Sequence, residues 1–469
     1  MGLFKKIKKE IIYKNIEQKN IYDSHIDKKM FLKNIDDFNE RLNGPYGCKE
    51  NDGDENIILS KNICLGYNKE ITKRNNNILV IGGAGTGKGI SFVMPNLLSA
   101  NANYVLIDDG SYYIKTKDFF IEKGYKIKVF DYTNHLESLH YNPLKHMKNE
   151  LDISIISKKL IEDDINKGDP FFINLEELLL NCILNYMRLL YDKADITFKW
   201  LFELLKYDAD YLIKEIYNCD NELIKKQVDI ICSMGSKTLF AAVSSLASKI
   251  YSLAKNELYD YDEIDFDEFR NKKTILYIMI TAADFPPSTI SLLIYQLYNH
   301  LTNNEPEIDV EDNIFLSMHK HRRKELQEKI NNAKELKYNI HFILDEFAML
   351  SQIPNLNALM IANRNKKINF SICIQNISQI KGKYSNWKDI LEYFESILFL
   401  GGFDLETQDF ICSLIDKQVM DMNSKVILNT FSYLDFREFP MNKCLVLIKG
   451  EQTFLDEKYN PREHKNTIF

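Results

Sequence analysis

The chain has 469 residues, 45% of them hydrophobic, with 10 prolines, 18 glycines and a net charge of -7. That size allows about two to three folded units, and the acidic balance excludes a wholly basic nucleic-acid coat while leaving room for a motor that needs only local basic surface. No stretch approaches the roughly 18 uncharged apolar residues of a transmembrane helix, and the first residues lack the apolar core of a secretory signal.

Residues 1–56 are charged, with Leu3, Phe4, Ile7, Ile11 and Ile12 spaced for one helix face among Lys5, Lys6, Lys8 and Lys9. They read either as an interfacial basic helix or as a solvated, partly helical tail. Eight cysteines are scattered along the chain without a CxxC pair, which argues against a zinc site and for buried free thiols in a reducing compartment.

Alternating strand and helix signals begin at 57–150. Asn77–Ile81 is an apolar run closed by Gly82-Gly83, and Ile90–Ala100 reads as a helix with Pro95 as a potential kink. Tyr104–Ile107, ending at Asp108-Asp109-Gly110, and Lys126–Phe130, starting after Gly124, read as strands. From 151 to 258 helical periodicity takes over, as in Leu175, Leu178, Leu179, Cys182, Ile183, Tyr186 and Met187, and predicts an inserted all-α domain. Strands return over 259–469, at Thr274–Ile280, Ile340–Leu344, Phe370–Ile374, Ser396–Leu400 and Cys444–Ile448. The run Lys320-His321-Arg322-Arg323-Lys324 is polar all round and predicts an exposed helix or loop. The whole pattern predicts an α/β fold: a parallel sheet covered by helices on both faces, with a helical domain inserted.

The chemistry concentrates after the first of these strands. Gly82-Gly83-Ala84-Gly85-Thr86-Gly87-Lys88-Gly89 follows a strand, opens a helix and has the GxxxxGK spacing of a phosphate loop. Its glycines let backbone N–H groups curl around phosphate oxygens, the helix N-terminus adds positive potential, and Lys88 reaches the β and γ phosphates. The Ser/Thr that normally follows the lysine and binds Mg²⁺ is Gly89 here, which sets ATP binding on firmer ground than hydrolysis. Phe342-Ile343-Leu344-Asp345-Glu346 is a buried-strand pattern ending in two acids. Asp345 is the candidate for holding the Mg²⁺ shell and Glu346 for orienting or deprotonating water. Gln375, after the next strand, reads as a γ-phosphate sensor or as a polar strand-end cap. Arg364, on the helix Leu356–Asn363 or just past it, reads as an arginine finger acting across a subunit interface or as a surface arginine.

Several ordered segments together resemble the coupling proteins of type IV secretion, the TraG/TraD class of conjugative DNA pumps. They are Asn77 through Pro95-Asn96-Leu97, Gly124–Val129 with Tyr141-Asn142-Pro143-Leu144, Gly168-Asp169-Pro170-Phe171-Phe172, Leu344-Asp345-Glu346-Phe347 with Gln352-Ile353-Pro354-Asn355, Arg364, Ile374–Gln379, and Met441–Gly450. The resemblance implies a RecA-like P-loop NTPase with an all-α domain inserted, a membrane-associated hexamer, and ATP-driven transfer of single-stranded DNA with its attached relaxase to the secretion channel. Three features depart from it: Gly89, the segment Asp108-Asp109-Gly110-Ser111-Tyr112 where the family has DPKGE, and the family's N-terminal membrane helices, for which no segment is seen here. Those departures favour a cytoplasmic protein that meets the inner face of the cell membrane through a partner or its basic N-terminal segment. They also keep open a docking protein of the same machinery that binds nucleotide without hydrolysing it; a chromosome or phage DNA translocase is a third possibility.

Overall fold

The computed structural model describes residues 56–69, 74–162, 169–191, 195–280, 288–302, 335–423, 436, 439–451 and 453–469. Its centre is one nine-stranded sheet. In chain order the strands are a separate hairpin of β1 (Asn56–Ile58) and β2 (Cys64–Gly66), then β3 (Ile78–Ile81), β4 (Asn103–Asp108), β5 (Lys126–Asp131), β6 (Thr274–Met279), β7 (Ile340–Leu344), β8 (Ile368–Ile374), β9 (Ser396–Phe399), β10 (Lys443–Ile448) and β11 (Phe454–Glu457). Across the sheet the order is β5-β6-β4-β7-β8-β3-β9-β10-β11. Pairing is parallel from β5 through β9 and antiparallel from β9 to β11.

The strands are apolar at consecutive positions because both faces are covered. Leu79, Ile81, Val105, Ile107, Phe342 and Leu344 pack into one core. Their neighbours Ile78, Val80, Tyr104, Leu106 and Ile343 pack into the other, as the period-2 alternation of strand side chains requires. The second core is closed by a π-helical turn, Gly89–Val93, running into α1 (Met94–Ser99), and by α2 (Ser111–Glu122). Pro95 lies in the first turn of α1, where its missing N–H costs nothing, so the break expected at this proline comes just ahead of it as the π turn.

Helices α3 (Glu150–Ile161), α4 (Pro170–Leu190), α5 (Phe198–Leu205), α6 (Ala209–Tyr217), α7 (Glu222–Ser233) and α8 (Ser236–Ala254) follow β5 and share the first core. Asp169 caps α4 by accepting from Phe171 N–H, with Pro170 at the first helical position. Leu175, Leu179, Cys182, Ile183, Tyr186 and Met187 form its buried stripe. A Glu176–Lys249 ion pair of 2.6 Å, with the carboxylate almost fully buried, ties α4 to α8.

Three expectations need correction or limit. The short strands β1, β2 and β11 were not read from the sequence; β11 is anchored by polar contacts, Ser60 Oγ donating to Asp456 Oδ2 (2.6 Å) and Asn62 Nδ2 to Asp456 Oδ1 (2.7 Å). The cysteines are not uniformly buried free thiols: Cys232 is exposed and Cys64 is disulfide-bonded. The N-terminal basic segment and the run at 320–324 lie outside the described residues.

Candidate nucleotide site

The strand order assembles the site. β8 stands between β3, which feeds the glycine loop, and β7, which ends at Asp345-Glu346. Register aligns their ends, Ile81 opposite Ile374 and Leu344 opposite Ile372. With strands about 4.8 Å apart, the loop and the carboxylates emerge about 10 Å from each other at one edge of the sheet, with Gln375 between them. The Asp345 N–H donates to Ile107 O (3.2 Å), which carries the end of β4 into the same neighbourhood.

The loop is held from below. Gly82 N–H donates to Ile374 O and Gly83 N–H to Gly401 O, both at 3.0 Å. A Cβ on Gly82 would fall within 3.0 Å of Thr86 Oγ1, which itself donates to Gly83 O (2.8 Å). Positive φ at Gly85 (74°) and Gly87 (92°) produces the alternating backbone that makes a concave anion nest. Lys88 Nζ donates to Gly82 O (2.7 Å) and Gly83 O (3.4 Å).

A second lysine supports the loop from the other end of the sequence. Lys458, just after β11, donates from Nζ to Thr86 O and Leu400 O, both at 2.8 Å. Burial lowers its pKa, so these carbonyls replace water for a partly desolvated ammonium. Lys458→Ala is expected to weaken ATP binding about 10–100-fold, the cost of a charge-assisted hydrogen bond of roughly 1.5–3 kcal/mol. Titration with ATP checks this; an unchanged Kd would mean the loop keeps its shape unaided.

Gly85, Gly87, Lys88, Gly89, Tyr112, Asp345, Glu346 and Gln375 line one pocket of about 320 Å³. Asp345 Oδ2 accepts from Tyr112 Oη (2.9 Å), whereas its Oδ1 is buried without a hydrogen-bond partner. Burial raises the Asp345 pKa, against the Tyr112 hydroxyl, the neighbouring Cys373 thiol and the charge of Lys88, which lower it. Burial, then the charge of Asp345, raises that of Glu346. At the end of β4, burial pushes Asp108 up to about 7, although the Tyr112 N–H donates to its Oδ2 (2.9 Å). Among the described residues no group of three or more His, Cys, Asp or Glu side chains could hold a metal unaided. A site with few carboxylates fits Mg²⁺, which is usually held by one or two carboxylates together with substrate phosphates; Asp345, whose Oδ1 is buried without a hydrogen-bond partner, is the residue that would hold it.

The structure thus brings together Lys88, Asp345, Glu346 and Gln375. Gly82, Gly83, Ala84 and Thr86 shape the loop without lining the pocket. Gln375 is exposed, and its N–H donates to Gln379 Oε1 (2.7 Å). Arg364 lies elsewhere. It is exposed in the turn Asn363–Asn365 ahead of β8, next to Asn363, whose Nδ2 donates to Asn77 Oδ1 (3.3 Å) at the start of β3. Within one chain it sits at the opposite end of the strands from the pocket. Tyr112, Cys373 and Lys458 were not picked out from the sequence as site residues. Their link to the site is tertiary, and nothing in the local pattern marks them.

Comparison with known proteins gives a consistent relationship. Residues 48–318 match the family described as Type IV secretory system Conjugative DNA transfer. Residues 339–429 match the family described as TraM recognition site of TraD and TraG; in this structure that stretch contains β7, β8 and β9. No curated protein matches the chain. Among solved structures, the bacterial conjugative coupling protein TrwBdeltaN70 in complex with sulphate is similar at a TM-score of 0.58 and 12% identity, over 87% of this chain and 91% of that one. The plasmid coupling protein TrwB with the GTP analogue GDPNP is similar at 0.59 and 12%, over 88% and 92%. TrwB with ADP and Mg²⁺ is similar at 0.59 and 12%, over 86% and 89%. The shared fold is a mostly parallel sheet with helices on both faces.

Proposed function

We propose a motor function from the premise that the chain belongs to the conjugative DNA transfer family of type IV secretory systems, as a coupling protein of the TraG/TraD type. In this reading it binds and hydrolyses ATP, assembles as a hexamer, and drives single-stranded DNA with its attached relaxase toward the secretion channel. The observation that carries the reading is the convergence of Lys88, Asp345, Glu346 and Gln375 on one pocket.

The roles follow from chemistry and position. The nest at 82–89 and Lys88 bind the β and γ phosphates. Glu346, its pKa raised by burial and by Asp345, orients water and accepts its proton, a role favoured when a carboxyl titrates nearer neutrality. Gln375, between the loop and the acids, contacts the γ-phosphate. Mg²⁺ held at Asp345 would neutralise charge building on the transferred phosphoryl group. Arg364, remote from the pocket of its own chain, acts in this reading as an arginine finger on a neighbouring subunit's pocket. That TrwB has been seen with ADP and Mg²⁺ supports the same pair of ligands here. Among the described residues no single helix is long and apolar enough to cross a membrane, and contact with the inner face of the cell membrane is assigned to a partner or to the basic N-terminal segment. The basic run at 320–324 is the candidate DNA contact.

ATP turnover with and without single-stranded DNA tests the proposal. DNA is expected to raise the rate of the wild-type protein, and Glu346→Gln to lower it by about 10²–10⁴-fold, the usual worth of a general base, while ATP still binds. Absence of turnover at saturating Mg-ATP would sink the motor. Gly89 favours a second reading in that event, a docking protein that binds nucleotide and hands on relaxase or protein cargo without turnover.

A further inference from the structure

The residue after Lys88 in a phosphate loop normally carries a hydroxyl, and here it carries no side chain. The space that side chain would take is already filled. A Cβ built on Gly89 would fall within 3.0 Å of Tyr112 Oη, closer than real side chains come, 3.3 Å from Tyr112 Cζ and 3.9 Å from Asp345 Oδ2. Tyr112 reaches this point from the first turn of α2, where its N–H donates to Asp108 Oδ2 (2.9 Å) and Thr116 Oγ1 donates to its carbonyl (2.7 Å). The residue is buried, and its Oη ends on Asp345 Oδ2 at 2.9 Å.

We propose that Tyr112 supplies from α2 the hydroxyl that the phosphate loop lacks, and that Gly89 is glycine because Tyr112 Oη stands where its side chain would be. Tyr112 is a positioning residue. Its O–H holds Oδ2 of Asp345 and leaves Oδ1, buried without a hydrogen-bond partner, as the oxygen that would hold a cation. The inference rests on the nucleotide-binding reading above and deepens it: the hydroxyl and the carboxylate work as a pair delivered by two different strand ends.

The pairing makes an unusual genetic prediction. Restoring a hydroxyl at 89 is incompatible with Tyr112 in its present place, because the new Cβ and Oη would overlap. Gly89→Thr therefore helps only when the tyrosine is removed.

The experiment measures the affinity of the full chain for ADP by calorimetry, with Mg²⁺ and with EDTA, and takes the ratio as the readout. Partners that orient a metal ligand are worth about 10–100-fold in metal affinity. Tyr112→Phe is expected to lower the Mg²⁺ enhancement by about that factor, with a much smaller change in EDTA. Gly89→Thr in the Tyr112→Ala background is expected to restore the enhancement, and Gly89→Thr alone to give none of that gain. An undiminished Mg²⁺ enhancement in Tyr112→Phe overturns the proposal. So does a Gly89→Thr gain of equal size in both backgrounds. If Tyr112→Phe loses affinity equally in EDTA, the residue serves packing only and the proposal fails. If the wild-type protein binds no ADP under either condition, the nucleotide reading itself fails, and the inference with it.

Discussion

Lys88→Met is expected to weaken nucleotide binding by at least an order of magnitude while leaving the fold intact. The ammonium is half-buried, donates only to loop carbonyls of Gly82 and Gly83, and faces the pocket shared with Asp345 and Glu346. With triphosphate present it is the main compensating charge, and truncating one member of a buried, hydrogen-bonded charge pair costs about 2–5 kcal/mol. At 1.4 kcal/mol per tenfold, the Kd for ATP should rise roughly 30-fold to a few thousand-fold. Equilibrium binding reads this directly. A change under about threefold, less than 1 kcal/mol, would remove the loop from the binding site.

Phe342→Ala is the change expected to cost most in stability. Phe342 is fully buried in β7, between β4 and β8, and stacks on Phe370 with ring centroids 4.8 Å apart. Truncating a core phenylalanine costs about 3–5 kcal/mol through lost burial and the cavity left behind. Because Asp345 and Glu346 continue from the same strand, loosened packing should blunt ATP binding as well. Thermal unfolding followed by circular dichroism measures the loss. Leu136→Ala, at a residue 96% exposed, is the control and should change stability by less than about 0.5 kcal/mol. Comparable melting of the two variants would show that β7 is not the core of the sheet.

Much of this arrangement was legible in the sequence, for a definite reason. Strands buried on both faces write themselves as uninterrupted apolar runs, so Ile340–Leu344 was read to the residue and Asn77–Ile81 to within one. The glycine loop and the acid pair stand out because they terminate such runs. Strands β1 and β2 were missed because three residues carry no periodicity, and β11 because its buried Asp456 breaks the apolar pattern and is satisfied only by Ser60 and Asn62, hundreds of residues earlier. Gly89 and the replaced DPKGE segment look like two separate departures along the chain. In space they are one, since Tyr112 fills what Gly89 vacates. Arg364 illustrates another kind of limit: its place just past the helix Leu356–Ala362 was readable, but whether it is a surface arginine or a finger for a neighbouring subunit is a property of an assembly.

The stitching of β3 has a consequence for how the protein is born. This strand leaves the ribosome early, yet its two neighbours in the sheet are β8 and β9, and the Phe370 N–H that donates to Asn77 comes 293 residues later. The lysine that braces the glycine turn comes later still, 372 residues after Thr86. Loop closure over such separations is slow. During synthesis the nascent turn therefore has no sheet to lean on until β8 and β9 emerge, and it gains its brace only once translation has passed Lys458; until then the exposed apolar strands are prone to aggregate and are clients for chaperones rather than parts of an engine.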